Sequence, residues 1–256
     1  MITGGASGMG RATANKFAAE GAKVIIADFD EINGQEAVSE IKARNEEANF
    51  FKVDVSNYEQ VSALVEYAIE TYGTLDVIWN NAGISGTSPL LDTNVPNYLN
   101  TVGINQFGVA YGIFAASKRM VELGVKGVII NTASVFGILA SENHFAYGAS
   151  KAAVESMTKT AALELAPHGI RVVGVTPGTV NTAILKDVLA MGLGDQLKSY
   201  HMRNNIIEPS DIANVIAFLA SEESNVINGT IIKVDDGWTS FKSHMILPDV
   251  AGGDLA

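Results

Sequence analysis

Cysteine is absent from the 256-residue chain. That excludes disulfides, thiol nucleophiles and cysteine-ligated metals, and it fits a reducing compartment. Basic residues are also few: 17 Lys and Arg stand against 28 Asp and Glu, for a net charge of −11. A general nucleic-acid binder needs a basic face that this balance does not supply, and an anionic membrane surface gains nothing from it. No run of about 18 apolar residues is available to span a bilayer. No basic-then-apolar signal segment opens the chain, so a cytoplasmic location is expected. Internal repeats, low-complexity stretches and linkers are missing too. The four histidines include His168, His201 and His244, which show no metal-ligand spacing with carboxylates, and no metal is expected.

What is present is ordinary for a globular protein, with 47% apolar and 18% charged residues. Short β-rich runs occupy 23–28, 49–54, 75–80, 127–134, 170–175 and 230–235. Helical patterns lie between them. In 59–72, Val61, Leu64, Val65, Ala68, Ile69 and Tyr72 recur at the 3.6-residue period. In 210–220 the stripe is Ile212, Val215, Ile216 and Leu219, with Ser210 as the expected cap. Gly21 and Pro167 mark the ends of two further helices.

Near-continuous Val/Ile runs alternating with amphipathic helices predict a mostly parallel sheet of about seven strands with helices on both faces. The chain 1–256 is therefore expected to form one doubly wound α/β domain of Rossmann type. Residues 179–208 are less regular and read as a lid over a substrate site. The tail 242–256 has no periodicity. The glycine loop begins at Thr3, so the strand that normally precedes it is either very short or starts upstream of Met1.

Residues 3–10 read TGGASGMG and open a helix. Glycines allow a sharp turn and close approach to a pyrophosphate, and the helix N-terminus presents free N–H groups to it. Asp28 ends the second β-run, 18 positions after Gly10. An acid there is placed to hold the ribose hydroxyls of a dinucleotide. Farther on, YGASK places Tyr147 and Lys151 at i and i+4, on one helix face. A phenol is a weak base at neutral pH, and an adjacent ammonium favours the phenolate.

TGGASGMG, NNAG at 80–83, Ser134 thirteen residues before Tyr147, YGASK, and PGTVNT at 177–182 together resemble the short-chain dehydrogenase/reductase family, in its compact single-domain branch. The resemblance runs from Thr3 to about Trp238. It implies a catalytic set of Asn105, Ser134, Tyr147 and Lys151. Tyr147 would be the acid/base. Lys151 would tune it and also hold the nicotinamide ribose. Ser134 would bond the substrate oxygen, and Asn105 would hold a water linking Lys151 to solvent.

The resemblance implies cofactor contacts from Gly4, Ser7, Gly8, Met9 and Gly10 in the loop, and from Asp28 and Phe29 at the ribose. Asp54 and Val55 would lie by the adenine, and Asn81, Ala82 and Gly83 along the adenosine half. Pro177, Gly178, Val180 and Thr182 would lie beside the nicotinamide, with Tyr147 and Lys151. Because Asp28 repels a 2′-phosphate, and Ser7 and Phe29 stand where arginine or lysine would clamp one, the implied cofactor is NAD. The small-molecule substrate is read as a partly apolar, uncharged alcohol or ketone, with sugars, diols, steroids and small cyclic ketones all open, contacted by Ser85, Phe136, His144, Ile184, Leu185 and Leu189, with Ile138 and Leu139 nearby. Met191 and Leu193 would extend the apolar lid. Relatives form tetramers, so a homotetramer is expected through helices near 97–122 and 146–166 and the segment 210–240, with 244–250 lying across a neighbouring subunit. The alternative function is a non-catalytic NAD(H)-binding redox sensor of the same fold; a nucleotide-sugar epimerase would need a substrate domain for which no length remains. Trp79 and Trp238 are read as core or interface fillers. The family's Asp-Gly-Gly stands here as Asp235, Asp236 and Gly237, read as a minor change near a subunit contact.

Overall fold

A computed structural model describes residues 1–241, the side chains of residues 186 and 187 apart. The tail, including the 244–250 stretch expected on a neighbouring subunit, lies outside the described residues. Seven strands form one sheet: β1 (Ile2–Thr3), β2 (Val24–Asp28), β3 (Ala48–Lys52), β4 (Val77–Asn80), β5 (Val128–Thr132), β6 (Arg171–Pro177) and β7 (Ile231–Val234). Their order is β3-β2-β1-β4-β5-β6-β7, and every pairing is parallel. Parallel strands need crossovers, and helices supply them.

Both sheet faces are buried, which explains the unbroken Val/Ile runs. Ile25, Ile129 and Val172 point to a core shared with α3 (Tyr58–Tyr72), α5 (Gly108–Leu123) and α6 (Phe145–Leu165). Their neighbours Ile26, Ile130 and Val173 point to the opposite core, under α1 (Gly8–Ala19), α2 (Glu31–Lys42) and α9 (Pro209–Ala220). Strand β1 is short, as the sequence allowed. It still fills the sheet centre, with Ile2 in register with Ile26 on one side and Trp79 on the other. The Trp79 amide donates to the Met1 carbonyl at 2.9 Å.

Helix α9 begins one residue before the expected cap. Pro209 takes the first helical position, where its missing N–H costs nothing, and the capping residue is Glu208 rather than Ser210. The Glu208 amide is met by the Asp211 carboxylate at 3.2 Å. The helix expected near 97–122 is α4 (Val95–Val102) joined to α5 by a π turn over Gly103–Phe107. The 179–208 segment folds into a short turn at Ala183–Leu185, α7 (Lys186–Ala190) and α8 (Gly194–Ser199). Its two ends are zipped together: Asn181 N–H donates to the Ile207 carbonyl at 2.8 Å, and Ile207 N–H to that of Thr179 at 3.0 Å.

Candidate active site

The chain order of the strands reverses between β1 and β4, and a crevice opens there at the carboxyl ends of the strands. A cavity of about 490 Å³ occupies it. Gly4, Ser7, Gly8 and Met9 line it after β1, Asp28 and Phe29 after β2, Asp54 and Val55 after β3, Asn81, Ala82 and Gly83 after β4, and Thr182 after β6. Twelve of the residues expected on a dinucleotide thus share one wall. Ile184 of the expected substrate set opens onto the same cavity. Val53, Ile84, Asn100, Ile104 and Ala183 line it as well and were not foreseen.

The cradle is shaped for close approach. Gly4 and Gly8 have φ of +65° and +51°, and a Cβ on Gly4 would stand 2.9 Å from Ala82 Cα. Gly10 is needed for another reason, since a Cβ there would lie 1.9 Å from the Gly4 carbonyl oxygen, where the loop packs on α1. Helix α1 starts at Gly8 with no side-chain cap and no acid in its first turn, so its N–H groups and positive dipole end remain available to an anion. The Asp28 carboxylate is held by the amides of Ala6 (2.9 Å) and Asp30 (3.0 Å). Each carboxylate oxygen keeps a lone pair for a further donor. Asn81 donates to the carbonyls of Thr3 and Gly4, while its buried Oδ1 has no partner among the described residues. Glycines at the turn, a free helix N-terminus, an acid and an open amide oxygen fit a dinucleotide.

The catalytic candidates converge beyond this cavity. Ser134 follows β5 in extended backbone and is buried. Its hydroxyl accepts from the Phe136 amide at 3.3 Å and lies close enough to the Tyr147 phenol to favour its charged form. Tyr147 and Lys151 are on the first turns of α6, with the Lys151 ammonium 5.7 Å from the centre of the Tyr147 ring. Lys151 is buried and donates to the Thr132 carbonyl at 2.8 Å. Burial pulls its pKa down to about 8. The Tyr147 phenol is pushed above its ordinary value by burial, which the Ser134 bond offsets only in part. The expected lowering by Lys151 is therefore not seen in the protein alone; the ammonium is turned to a backbone carbonyl rather than to the phenol.

Asn105 sits on the π turn, a feature common at functional sites. It is fully buried, its Oδ1 accepting from the Ile84 amide and its Nδ2 donating to the Ile84 carbonyl, both at 2.8 Å. The carboxamide thus clamps the segment after β4, and one lone pair and one N–H remain for a water. Pro177 ends β6, and Gly178 has no room for a side chain, since a Cβ would meet His201 Nε2 at 2.6 Å. Val180 is buried in the zip with Ile207.

An aromatic wall stands over Tyr147. The Phe136 ring lies 4.6 Å from His144 and edge-on to Tyr147 at 6.4 Å. Trp238 meets Phe136 edge-on at 5.5 Å and stacks on Tyr200 at 4.7 Å. Trp238 is thus part of this wall rather than a filler, and Tyr200 was missed altogether. Trp79 is core, fully buried with its indole N–H on Thr132 Oγ1 at 2.9 Å. His144 Nδ1 lies 2.6 Å from the Glu142 carbonyl, which only accepts, so that nitrogen carries the proton and Nε2 is left as an acceptor. Ser85 is half-buried just past Ile84. Leu185 and Leu189 are half-buried, whereas Ile184 and Met191 are 60% and 74% exposed.

A family model described as "Enoyl-(Acyl carrier protein) reductase" matches residues 4–239. The chain belongs to the short-chain dehydrogenase/reductase family. It is 38% identical over 239 residues to a 2,5-dichloro-2,5-cyclohexadiene-1,4-diol dehydrogenase of Sphingobium indicum, covering 93% of this chain and 95% of that one. It is 37% identical to L-2,3-butanediol dehydrogenase of Corynebacterium glutamicum, over 93% and 96% of the two chains. The crystal structure of levodione reductase superposes with a TM-score of 0.89 at 32% identity, covering 94% of this chain and 97% of that one. The relatives are dehydrogenases and reductases of alcohols and ketones, a family that works with a nicotinamide cofactor. Among the described residues no helix is long and apolar enough to cross a membrane.

Proposed function

We propose that the protein is an NAD(H)-dependent oxidoreductase that interconverts a secondary alcohol and its ketone, with Tyr147 as the acid/base. The observation that carries this reading is the meeting of Ser134, Tyr147 and Lys151 beside the glycine-lined cavity. Bound NAD would supply hydride acceptance from the carbinol carbon, and NADH its return. Tyr147 takes the alcohol proton or gives one to the ketone oxygen, and Ser134 donates a hydrogen bond to that oxygen as charge develops. The Lys151 charge, added to that of an oxidised nicotinamide, draws the phenol down from the raised value it has alone. Asn105 fixes the Ile84 segment and offers its remaining N–H to a water on the proton path. Asp28 takes the ribose hydroxyls and disfavours a 2′-phosphate.

Phe136, Trp238 and Ile138 favour an apolar substrate body, and His144 Nε2 accepts from a second hydroxyl. Together with the relatives' names, this points to a small diol or hydroxyketone. Residues 1–256 act as one catalytic domain, and the exposed Phe107, Phe114 and Leu163 near and along α5 and α6 support a homotetramer. A panel of butane-2,3-diol, cyclohexanediols, simple secondary alcohols and hydroxysteroids tests the reading, followed by absorbance of reduced nicotinamide. Turnover with NAD is expected for the small diols. No turnover of any member with either NAD or NADP would reject it.

A further inference from the structure

Asp236 has a φ of +46°, in the left-handed region where glycine is at ease and a side chain is strained. Its carboxylate performs a task glycine cannot. Oδ2 accepts from the Arg203 amide at 2.9 Å and Oδ1 from Arg203 Nε at 2.7 Å. The Asp236 carbonyl accepts from the Met202 amide at 2.9 Å. The Arg203 side chain is 82% exposed, so the ion pair is screened and contributes little. The Asp236 side chain itself is only 12% exposed, and its other oxygen bonds a backbone amide rather than a mobile side chain.

The residues seized in this way directly follow Tyr200 and His201. Tyr200 stacks on Trp238 with its ring 15° from parallel, and His201 meets Trp238 edge-on at 5.6 Å. His201 is itself fixed, its Nε2 accepting from the Thr179 amide at 3.1 Å. Trp238 leans on Phe136, and Phe136 on Tyr147.

We propose that Asp236 is a positioning residue: its carboxylate latches the end of the 179–208 segment to the turn after β7, and so holds the Tyr200–Trp238–Phe136 wall against Tyr147. Its catalytic consequence rests on the reading of Tyr147 given above; the latch itself can be observed without turnover.

The chain has two tryptophans. Trp79 is 0% exposed, so acrylamide quenching of fluorescence reports Trp238. Asp236→Gly suits the backbone angle and removes the latch. Asp236→Asn keeps an oxygen for the Arg203 amide. Quenching is expected to rise at least about twofold in Asp236→Gly and to stay near wild type in Asp236→Asn, as for a segment released to local motion. In Asp236→Gly, KM for the best alcohol of the panel is expected to rise about tenfold, with kcat lowered less than about threefold and NADH binding unchanged. Wild-type quenching in Asp236→Gly, or an Asp236→Asn protein as loose as Asp236→Gly, would overturn the latch. An inactive wild type would instead sink the oxidoreductase reading and leave the quenching comparison standing.

Discussion

Replacing Lys151 with methionine is expected to make the protein more stable at neutral pH while destroying its activity. Lys151 is 3% exposed, and among the described residues no carboxylate contributes to its titration; burial moves its pKa from 10.5 to about 8. That displacement corresponds to about 3 kcal/mol of destabilisation by the buried charge, at about 1.4 kcal/mol per pH unit. Methionine has a similar reach and no charge, but it strips the Thr132 carbonyl of its donor, at a cost of about 1 kcal/mol. The net gain is about 2 kcal/mol. For a chain of this size that amounts to roughly 4–8 °C in Tm.

The pH dependence gives the reasoning a second test. The folded protein releases the lysine proton near pH 8 and the unfolded chain near 10.5. Between those values the unfolded chain holds more protons, so wild-type stability gains on the variant as pH rises. The advantage of Lys151→Met is therefore full below about pH 8, cancelled at about pH 10 and reversed above it, because the cost of the lost donor remains and every other titrating group is common to the two proteins. Thermal melts of both proteins across this range, by circular dichroism, supply the comparison. A lower Tm for the variant at pH 7, or a difference that does not change with pH, would refute the argument.

Asp28→Ser with Phe29→Arg removes the repulsion of a 2′-phosphate and adds a clamp. Wild-type kcat/KM is expected to favour NAD by about a hundredfold, or some 2.7 kcal/mol, and the double variant to move toward NADP; a wild type indifferent to the two cofactors would remove Asp28 from the ribose. In the cofactor-free protein, tyrosinate absorbance of wild type minus Tyr147→Phe is expected to titrate above pH 10, since burial raises that phenol. A component appearing below pH 9 would contradict it. Light scattering after size exclusion at micromolar concentration is expected to give about four chain masses, and a monomer would exclude the tetramer.

The parts of this fold legible in the sequence are those where one local constraint acts alone. Gly4, Gly8 and Gly10 are dictated by turn angles and by contacts too short for a Cβ. The Tyr147 and Lys151 spacing follows from helix geometry, and Asp28 from the end of a buried strand. The π turn at Asn105 was not legible, because no residue type marks where a helix widens by one residue. Ser210 was a plausible cap by residue type, but Pro209 fits the first helical position and moves the cap to Glu208. The role of Trp238 was hidden for another reason. Its partners Phe136 and Tyr200 come from distant parts of the chain, and the Asp236 latch that unites them is a strained residue whose compensation appears only in three dimensions.

The central claim is proton transfer by Tyr147, and kcat for Tyr147→Phe with saturating NAD and the best alcohol of the panel tests it most directly. The substitution removes one hydroxyl and little packing area, so NADH binding is expected to persist while kcat falls by at least about a hundredfold, the lower end for a general acid–base group. A variant that kept more than roughly a tenth of wild-type kcat would contradict the account and move the acid/base role to another group.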